Sequence, residues 1–464
     1  MLQKILFIFI FFSINISVFS KDLIRINSIE INGNKKTKDY IILNELVFKV
    51  DNRLSIKELE QKITESEENL INLKLFNFVD ITSIIDQKNV TIVIDIVERW
   101  YVWPYPILEI SDRNFNSWWE EFSEENYNDF SRLNYGIFLN IENYRGKNEL
   151  IKAKIRRGFS EQYLFSYNIP YFKNIKNFGF NADIELKQNK KIHYTTFDNK
   201  LVYFNDVNSY VLKKYGFSLG VKYRRSININ HNIIFNQFFT NLNDSIVLLN
   251  PNYLNNQQNN GNYSKIMYKY INERRDYIAY PLKGYNVTFS LLKFIPGSVP
   301  AKHMELAFKI ENHINIFDRF YFGSSFKTKI NSNEKQPYIE KKYLGFEDYI
   351  RGYEYYVIEG DNYWISKTAI KYNILKKRNF TLPYFKMEQF KKSHYSLFTS
   401  LFTDIGYIND RYENETVNKL ANIALASVGL SLDYITYYDK IIRIEYSINK
   451  LGEKGVFLHF SNPF

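Results

Sequence analysis

The 464-residue sequence contains no cysteine, and no apolar run between its two ends is long enough to form a transmembrane helix. The absence of cysteine excludes a disulfide framework, and it also excludes a lipidated cysteine directly after a leader peptide. The folded protein must therefore be held together by strand pairing and side-chain packing.

Motifs that carry enzyme chemistry are absent as well. No serine lies at a strand-turn-helix elbow, no glycine-rich loop is placed to cradle a phosphate, and there is no cysteine nucleophile. None of the six histidines has the spacing of a zinc site. We therefore expect no enzyme activity, no cofactor and no bound metal.

The net charge of +11 is not concentrated in a basic stripe or in a nucleic-acid-binding motif, because lysine and arginine are scattered along the chain. We expect no nucleic-acid partner. Attraction to anionic lipid headgroups is the consequence that the charge favours.

The N-terminus has the features of a secretory leader. Lys4 precedes an apolar stretch from Ile5 to Phe12, and Val18 and Ser20 occupy the minus-three and minus-one positions of a cleavage site. This pattern is typical of a signal peptide over residues 1–20 and not of a membrane anchor. We therefore expect the chain to be exported.

Aromatic residues make up 18% of the chain, with 38 Tyr and 39 Phe. One interpretation is that they form the two aromatic girdles of an outer-membrane barrel. The other is a general inflation of Lys, Asn, Ile, Tyr and Phe, as in an AT-rich genome. Composition alone leaves both open.

Residues 21–99 are predicted to form a small α+β domain. The turn pair Gly33-Asn34 ends the first apolar segment, and Ser55 with Glu58 forms the capping box of a helix. The predicted elements, in the order β-α-α-β-β, are a strand over 24–31, helices over 37–46 and 55–73, and strands over 78–85 and 90–97.

Residues 100–464 lose helical periodicity and alternate apolar with polar residues instead. A β-sandwich would alternate in the same way, so alternation does not separate the two architectures. The length and the number of the alternating segments favour a transmembrane barrel, whose tilted strands need about 9–11 residues each. The segments, about sixteen, are 104–112, 132–143, 148–159, 161–170, 177–188, 213–224, 228–239, 262–273, 282–294, 302–314, 318–329, 361–374, 394–407, 423–434, 440–449 and 455–464.

Four of the five tryptophans, Trp100, Trp103, Trp118 and Trp119, are close in sequence at the start of this region. We expect them to form a single cluster where the small domain meets the barrel, and two interpretations of this cluster are open. The tryptophans form an interfacial belt at the membrane surface, or they pack the domain against the barrel rim.

The small domain resembles a POTRA domain, the polypeptide-transport-associated unit of the periplasm. The resemblance rests on the element order, the Gly33-Asn34 turn and the segment from Leu73 to Val79, which leads out of the second helix. Related assembly factors commonly carry several POTRA units, whereas this chain has room for one. That departure puts a full set of accessory-protein contacts in doubt.

The region after the domain resembles the barrel of the BamA-like surface-antigen superfamily of outer-membrane assembly factors, which makes the fold a sixteen-stranded antiparallel transmembrane barrel behind one α+β POTRA domain. The motifs that carry the resemblance are Ile350-Arg351-Gly352-Tyr353, Phe402-Thr-Asp404-Ile-Gly406, Arg275-Asp276 with Pro281 and Gly284, and a terminal strand signal with Phe460 and Phe464.

The resemblance implies that the loop carrying Arg351 folds back into the lumen and meets the strand motif. Phe402, Asp404 and Gly406 share one strand face, so an arginine there would form a charge-assisted pair with Asp404, worth about 1–3 kcal/mol. Gly352 would permit a tight turn and Gly406 would leave room. By strand parity, Asp433 and Glu445 are rival acceptors for Arg351.

The function implied is assembly or insertion of outer-membrane barrels, by strand templating at the seam between the first and last barrel strands. The alternatives are a polypeptide export pore of the same superfamily and a passive outer-membrane channel. Expected partners are the outer-membrane bilayer, unfolded outer-membrane or exported polypeptides, and periplasmic or lipoprotein partners of the POTRA domain. The expected location is the outer membrane, with the POTRA domain in the periplasm.

Overall fold

The computed structural model describes residues 23–110, 115–124, 133–175, 177–206, 208–332, 336–341, 344–384, 386–411 and 418–461. These residues form a small N-terminal module and a sixteen-stranded antiparallel sheet that is rolled into a barrel. The predicted signal peptide and Phe464 lie outside the described residues. None of the helices in the described part of the chain combines the length and the apolar character needed to cross a bilayer.

The module contains a four-stranded sheet and two helices. The sheet order is β2-β1-β4-β3, and β1 and β4 run parallel. The predicted order is confirmed except for β2, whose two residues pair with Ile24 and Arg25 and are too few to produce a periodic pattern. The elements are β1 (Ile24–Asn32), α1 (Asp39–Leu43), β2 (Arg53–Leu54), α2 (Ile56–Asn72), β3 (Phe76–Asp86) and β4 (Asn89–Glu98).

Helix α2 begins where the capping box places it. The Ser55 side chain accepts a hydrogen bond from the Glu58 backbone, and the Glu58 carboxylate accepts one from the Ser55 backbone, which satisfies two donors at the helix start. Leu59 and Leu70 on the inner face of α2 are buried with the inward residues of β4, among them Ile92. This core makes the module a packed unit of its own.

The barrel sheet contains sixteen strands, and each corresponds to one predicted segment. They are β5 (Val102–Ile110), β6 (Leu133–Tyr144), β7 (Glu149–Gly158), β8 (Ser160–Ile169), β9 (Phe178–Asn189), β12 (Leu212–Arg224), β13 (Ile229–Leu242), β14 (Asn260–Glu273), β15 (Gly284–Pro296), β16 (Met304–Phe317), β17 (Phe320–Asn331), β18 (Asn362–Thr381), β19 (Lys392–Asn409), β20 (Ala424–Thr436), β21 (Lys440–Asn449) and β22 (Lys454–Ser461). Neighbours in sequence are neighbours in the sheet, apart from the step from β9 to β12.

That step is occupied by a hairpin that the sequence did not reveal, β10 (Lys191–Phe197) and β11 (Lys200–Asn205). The two strands pair only with each other among the described elements, and they are too short for alternation to stand out. The hairpin lies at the end of the barrel opposite the module, the far end, where it packs with other loops around Ile192 and Leu254.

The far-end loops also enclose a buried carboxylate. Glu340 pairs with Lys214, at 2.9 Å, and with Lys265, and it accepts a hydrogen bond from Tyr263. Burial raises the pKa of Glu340 and the charges of the two lysines outweigh it, so the pKa lies below its ordinary value. The loop is therefore tied to β12 and β14 by an ionised group.

Alternation along the strands separates an outer apolar face from an inner polar one. In β19 and β20, Leu401, Ile405 and Leu430 are exposed on the outer face, whereas Asp404 and Asp433 are fully buried on the inner face. Water cannot satisfy polar groups in hydrocarbon, so an apolar outer band suits a barrel wall.

The module covers the mouth of the barrel at the end opposite the far-end loops, and a buried ion pair holds it there. Arg99, at the end of β4, donates from Nη1 to Asp439 Oδ2 at 2.8 Å, in the turn between β20 and β21. Both side chains are less than a tenth exposed. Burial raises the pKa of the Asp439 carboxyl, but its hydrogen bonds and charge interaction with Arg99 outweigh burial and hold the pKa below its ordinary value.

Other barrel turns contact the module too. Asn72 of α2 donates to the carbonyls of Arg275 and Asp276 at 3.1 Å each, and Arg224 pairs with Glu45. The motif around Arg275 thus lies where the module docks. Contacts spread over several turns hold the module in one orientation.

We predict that Arg99→Ala loosens the docked module. The substitution leaves the Asp439 carboxylate buried without its cation, a change that costs about 3–5 kcal/mol in comparable buried pairs. Hydrogen exchange in detergent should show faster exchange in β3, β4 and the turn at Asp439.

The control is Arg25→Ala, which removes an exposed pair with Asp51 (side-chain exposure 52% and 68%) and should change little. Equal exchange in the two variants would contradict the assignment of the docking energy to Arg99.

Candidate functional site in the barrel lumen

A loop between β17 and β18 enters the lumen and is packed there by apolar side chains. Leu344 and Ile358 form a bridge at its neck. Between them Ile350 and Tyr353 are buried, at 1% and 2% exposure, in a cluster with Ile408 of the barrel wall. The tetrapeptide from Ile350 to Tyr353 is therefore held inside the barrel.

Arg351 of this lumen loop meets Asp404 of β19. Arg351 Nε lies 2.9 Å from Asp404 Oδ2, and Arg351 Nη2 lies 2.5 Å from Oδ1. The Arg351 backbone N–H also donates to Oδ2, at 3.1 Å. A fork of two side-chain bonds plus a backbone bond fixes both the side chain and the loop that carries it.

Phe402 provides the remaining face of this pocket. The Arg351 guanidinium carbon lies 3.8 Å from the centre of the Phe402 ring, a cation–π contact in a site where Asp404 is fully buried. Phe402, Asp404 and Gly406 all point inward from β19, as their shared parity predicts.

Two glycines of the motifs are required by space and by backbone conformation. Gly352 has φ of +84°, and a Cβ there would lie 3.1 Å from Ser447 Oγ. At Gly406 a Cβ would lie 2.6 Å from Ile350 Cδ1. At Gly352 the left-handed backbone disfavours any other residue, and at Gly406 a side chain would force Ile350 of the loop to move.

Of the two rival acceptors, Asp433 has other partners and Glu445 is only a distant neighbour of Arg351. Asp433 accepts from Arg443 Nε at 2.7 Å and from the Tyr280 hydroxyl at 2.6 Å. Glu445 Oε1 lies 3.9 Å from Arg351 Nη1, so it is a second and weaker neighbour of Arg351. Asp404 is the acceptor that binds Arg351 in a fork.

Arg443 was missed by sequence analysis, although a signal existed. Asp433 and Arg443 are directly opposite in the β20–β21 hairpin and both face the lumen by parity. Cross-strand opposite charges on one face form pairs. With a tight turn placed at Tyr437 to Asp439, the register of the two strands would have predicted the pair of Asp433 with Arg443.

The lumen network continues to the last strand. His459 of β22 lies 3.1 Å from Glu445 Oε2 and 3.6 Å from Glu354 Oε1, measured from Nε2. Its ring stacks on Tyr349 of the lumen loop, with centroids 5.7 Å apart. The loop thus touches β19, β21 and β22 at once.

Glu354, Glu445 and His459 have donor atoms within 4.8 Å of one another, a spacing that suits a metal ion. Arg443 Nη1 lies 3.6 Å from Glu445 Oε1, and Arg351 Nη1 lies 3.9 Å from the same oxygen. Because two guanidinium groups already lie beside this carboxylate and repel a further cation, we assign no metal to the group.

The remaining predicted residues lie elsewhere. Phe460 is on the outer face of β22, 59% exposed, and Phe464 lies outside the described residues. The prediction of one tryptophan cluster is wrong. Trp103 packs on Tyr438 beside the module, at 5.1 Å between centroids, whereas Trp118 and Trp119 lie on α3 (Phe115–Glu124), a helix that contacts β22.

A sixteen-stranded barrel with an arginine-bearing loop in its lumen and a small α+β module at one mouth defines an outer-membrane protein class. A family model for the POTRA domain, described as surface antigen variable number repeat, matches residues 24–99. A model for the Omp85 superfamily domain matches residues 143–449, more than half of the chain. The chain belongs to the Omp85 superfamily, with one POTRA domain.

Solved structures of the same fold agree with this assignment. BamA from Haemophilus ducreyi lacking POTRA domains 1–3 matches with a TM-score of 0.50 at 13% identity, over 94% of this chain and 84% of that one. CdiB from Escherichia coli matches with a TM-score of 0.51 at 10% identity, over 94% and 75%. At these identities the likeness shows the fold. A comparison with curated proteins finds no match.

Membership places the protein in the outer membrane and assigns it a function in barrel assembly or in polypeptide export. Proteins of this superfamily are in general assembly factors or transporters and not enzymes.

We predict that Asp404→Asn releases the lumen loop. The change removes the charge that neutralises the buried Arg351 guanidinium, at a cost of about 3–5 kcal/mol. Because the chain has no cysteine, a thiol introduced by Val357→Cys, at a fully buried loop position, reports release through faster maleimide labelling.

Asp318→Asn, at a turn carboxylate that is 78% exposed, is the matched control. It should leave the labelling rate unchanged. Equal labelling in the parent, the control and Asp404→Asn would show that this ion pair does not hold the loop.

Proposed function

We propose that this protein assembles and inserts outer-membrane barrel proteins by offering an unpaired strand edge to client strands. The observation that carries the proposal is the sheet order, which begins at β5 and ends at β22 with no ladder joining these two strands among the described residues. The seam is the gap between β5 and β22.

The physical basis is the cost of unsatisfied backbone groups in hydrocarbon, several kcal/mol for each N–H or C=O. A client strand that pairs at the seam satisfies its own backbone groups and those of the edge. Entry into lipid as part of an existing sheet therefore avoids the unpaired intermediate that makes spontaneous insertion slow.

The module supports the same proposal. We assign residues 1–20 to a signal peptide, 21–99 to the POTRA domain in the periplasm and 100–464 to the barrel. Strand β3 is an edge of the module sheet, and its Ile84 and Ile85 are exposed at 61% and 47%. An extended client could add to this edge by β-augmentation before it reaches the seam.

A specific observation keeps export as the second candidate. The lumen loop and the docked module both lie on the route through the barrel, as a plug would. In an export pore Arg351→Ala should raise conductance in planar bilayers and leave client folding unchanged. In an assembly factor the same variant should alter client folding.

Reconstitution tests the proposal directly. Liposomes that contain the protein should fold an added outer-membrane client faster than empty liposomes, measured by the heat-modifiable gel shift of the client. Deletion of residues 21–98 should slow this reaction because it removes the capturing edge.

No acceleration over empty liposomes would contradict the proposal. A deletion variant without any phenotype would favour a passive channel, since such a channel does not use the module.

A further inference from the structure

We infer that the strand-accepting edge of this barrel is that of the last strand, β22, and that Asn116 of α3 occupies this edge as a latch until a client strand replaces it. The inference deepens the proposed function and rests on it. The occupant is an extended polypeptide strand with alternating apolar residues, because the edge presents backbone groups in a lipid-facing wall.

The edge of the first strand is unsuited to strand pairing over the stretch from Val102 to Pro106. The Tyr101 carbonyl accepts from the Glu142 N–H at 2.7 Å, which shows that odd-numbered residues direct their backbone groups towards β6. Even-numbered residues therefore face the seam, and two of them are Pro104 and Pro106. Proline has no N–H, so two consecutive ladder positions on this edge lack donors.

A side chain blocks a further position of the same edge. The carbonyl of Val102, which faces the seam, accepts a hydrogen bond from the Trp100 indole N–H. Over the stretch from Val102 to Pro106, the edge of β5 therefore offers an incoming strand little of the alternating donor and acceptor pattern that a ladder needs.

The edge of the last strand is intact and covered. Asn116 Nδ2 donates to the Leu458 carbonyl at 3.2 Å, and the Leu458 N–H donates to Asn116 Oδ1 at 2.9 Å. A carboxamide carries the same donor and acceptor as a peptide unit. Asn116 thus makes with Leu458 the pair of bonds that a residue of a neighbouring strand would make.

The helix that carries Asn116 packs on β22 and is not attached only at one residue. Within the helix Trp118 stacks on Phe122 with centroids 4.7 Å apart, and Phe122 is 9% exposed. Asn116 itself is 6% exposed. Its two bonds therefore lie in a low-dielectric site, where leaving the Leu458 groups unpaired is costly.

A client strand can replace the Asn116 latch because it can form more hydrogen bonds with the edge of β22. Asn116 satisfies one residue of β22 with two neutral hydrogen bonds, whereas a client strand could satisfy several successive residues of the same edge. The outer face beside it is apolar, with Val456 exposed at 66%. A longer ladder therefore outcompetes the single amide, and the amide protects the edge when no client is present.

The first test replaces Asn116 with a side chain of similar shape and no hydrogen-bonding groups. In the liposome assay Asn116→Leu should fold the client about fivefold faster, the factor expected for net loss of one or two neutral hydrogen bonds that compete with the client. The same substitution at Asn259, an exposed far-end residue bonded to Asp244, is the control and should match the parent.

The second test holds the latch closed. The double variant Asn116→Cys/Leu458→Cys, joined by a short reducible bis-thiol reagent, should lose client acceleration and regain it when the linker is reduced. The protein is folded before the linker is added. A loss of client acceleration that reduction reverses therefore cannot come from misfolding of the protein itself.

The third measurement identifies the edge that is used. A client with one cysteine in its terminal strand should cross-link to Val456→Cys on β22 and not to Leu108→Cys on β5, both exposed positions of the parent barrel.

The outcomes separate the latch from the proposed function. If the parent does not accelerate folding, the proposed function fails. If the parent accelerates folding but Asn116→Leu and the tethered variant behave like the parent, or if cross-links form only at Leu108→Cys, the latch at β22 is overturned while the proposed function stands.

Discussion

Backbone hydrogen bonding in lipid is the constraint on which this structure depends. Fourteen strands of the sixteen-stranded sheet lie between two partners, and the two remaining strands, β5 and β22, form no ladder with each other in the described residues. A sheet that crosses hydrocarbon must satisfy these two edges in another way. On β5 the chain removes donors with proline, and on β22 it supplies an asparagine amide. The two sides of the seam therefore differ: β5 lacks backbone donors where it has proline, whereas β22 keeps its backbone groups and bonds them to an asparagine side chain.

The lumen loop stabilises the wall next to this seam. Arg351 binds Asp404 of β19 in a fork and lies 3.9 Å from Glu445 of β21. His459 of β22 joins Glu445 and the loop residue Glu354. The loop thereby holds the last strands together on their inner face, while the outer edge of β22 is left for pairing. A template strand must keep its shape while its partner changes, and the buried charge network provides that rigidity.

Much of this arrangement could be predicted from sequence, and the reasons are physical. Strand alternation is set by burial on each side of the wall, so all sixteen segments could be found, and the capping box at Ser55 fixed the start of α2. Parity placed Asp404 inside with Phe402 and Gly406, and the family resemblance brought Arg351 to it. Contacts that join distant segments without periodicity could not be found, such as Asn116 with Leu458 or Arg99 with Asp439. The hairpin at Lys191 was missed because its strands are short.

The most direct measurement of the central claim is site-resolved amide hydrogen exchange along β22 in lipid nanodiscs. Backbone groups alternate in direction along a strand, so the amides of Phe457 and His459 face β21 while that of Leu458 faces the seam. We predict that all three are protected in the parent and that Asn116→Leu removes the protection of Leu458 alone. Unchanged protection of Leu458 in Asn116→Leu would mean that β22 has another partner, and it would contradict a seam covered by the Asn116 amide.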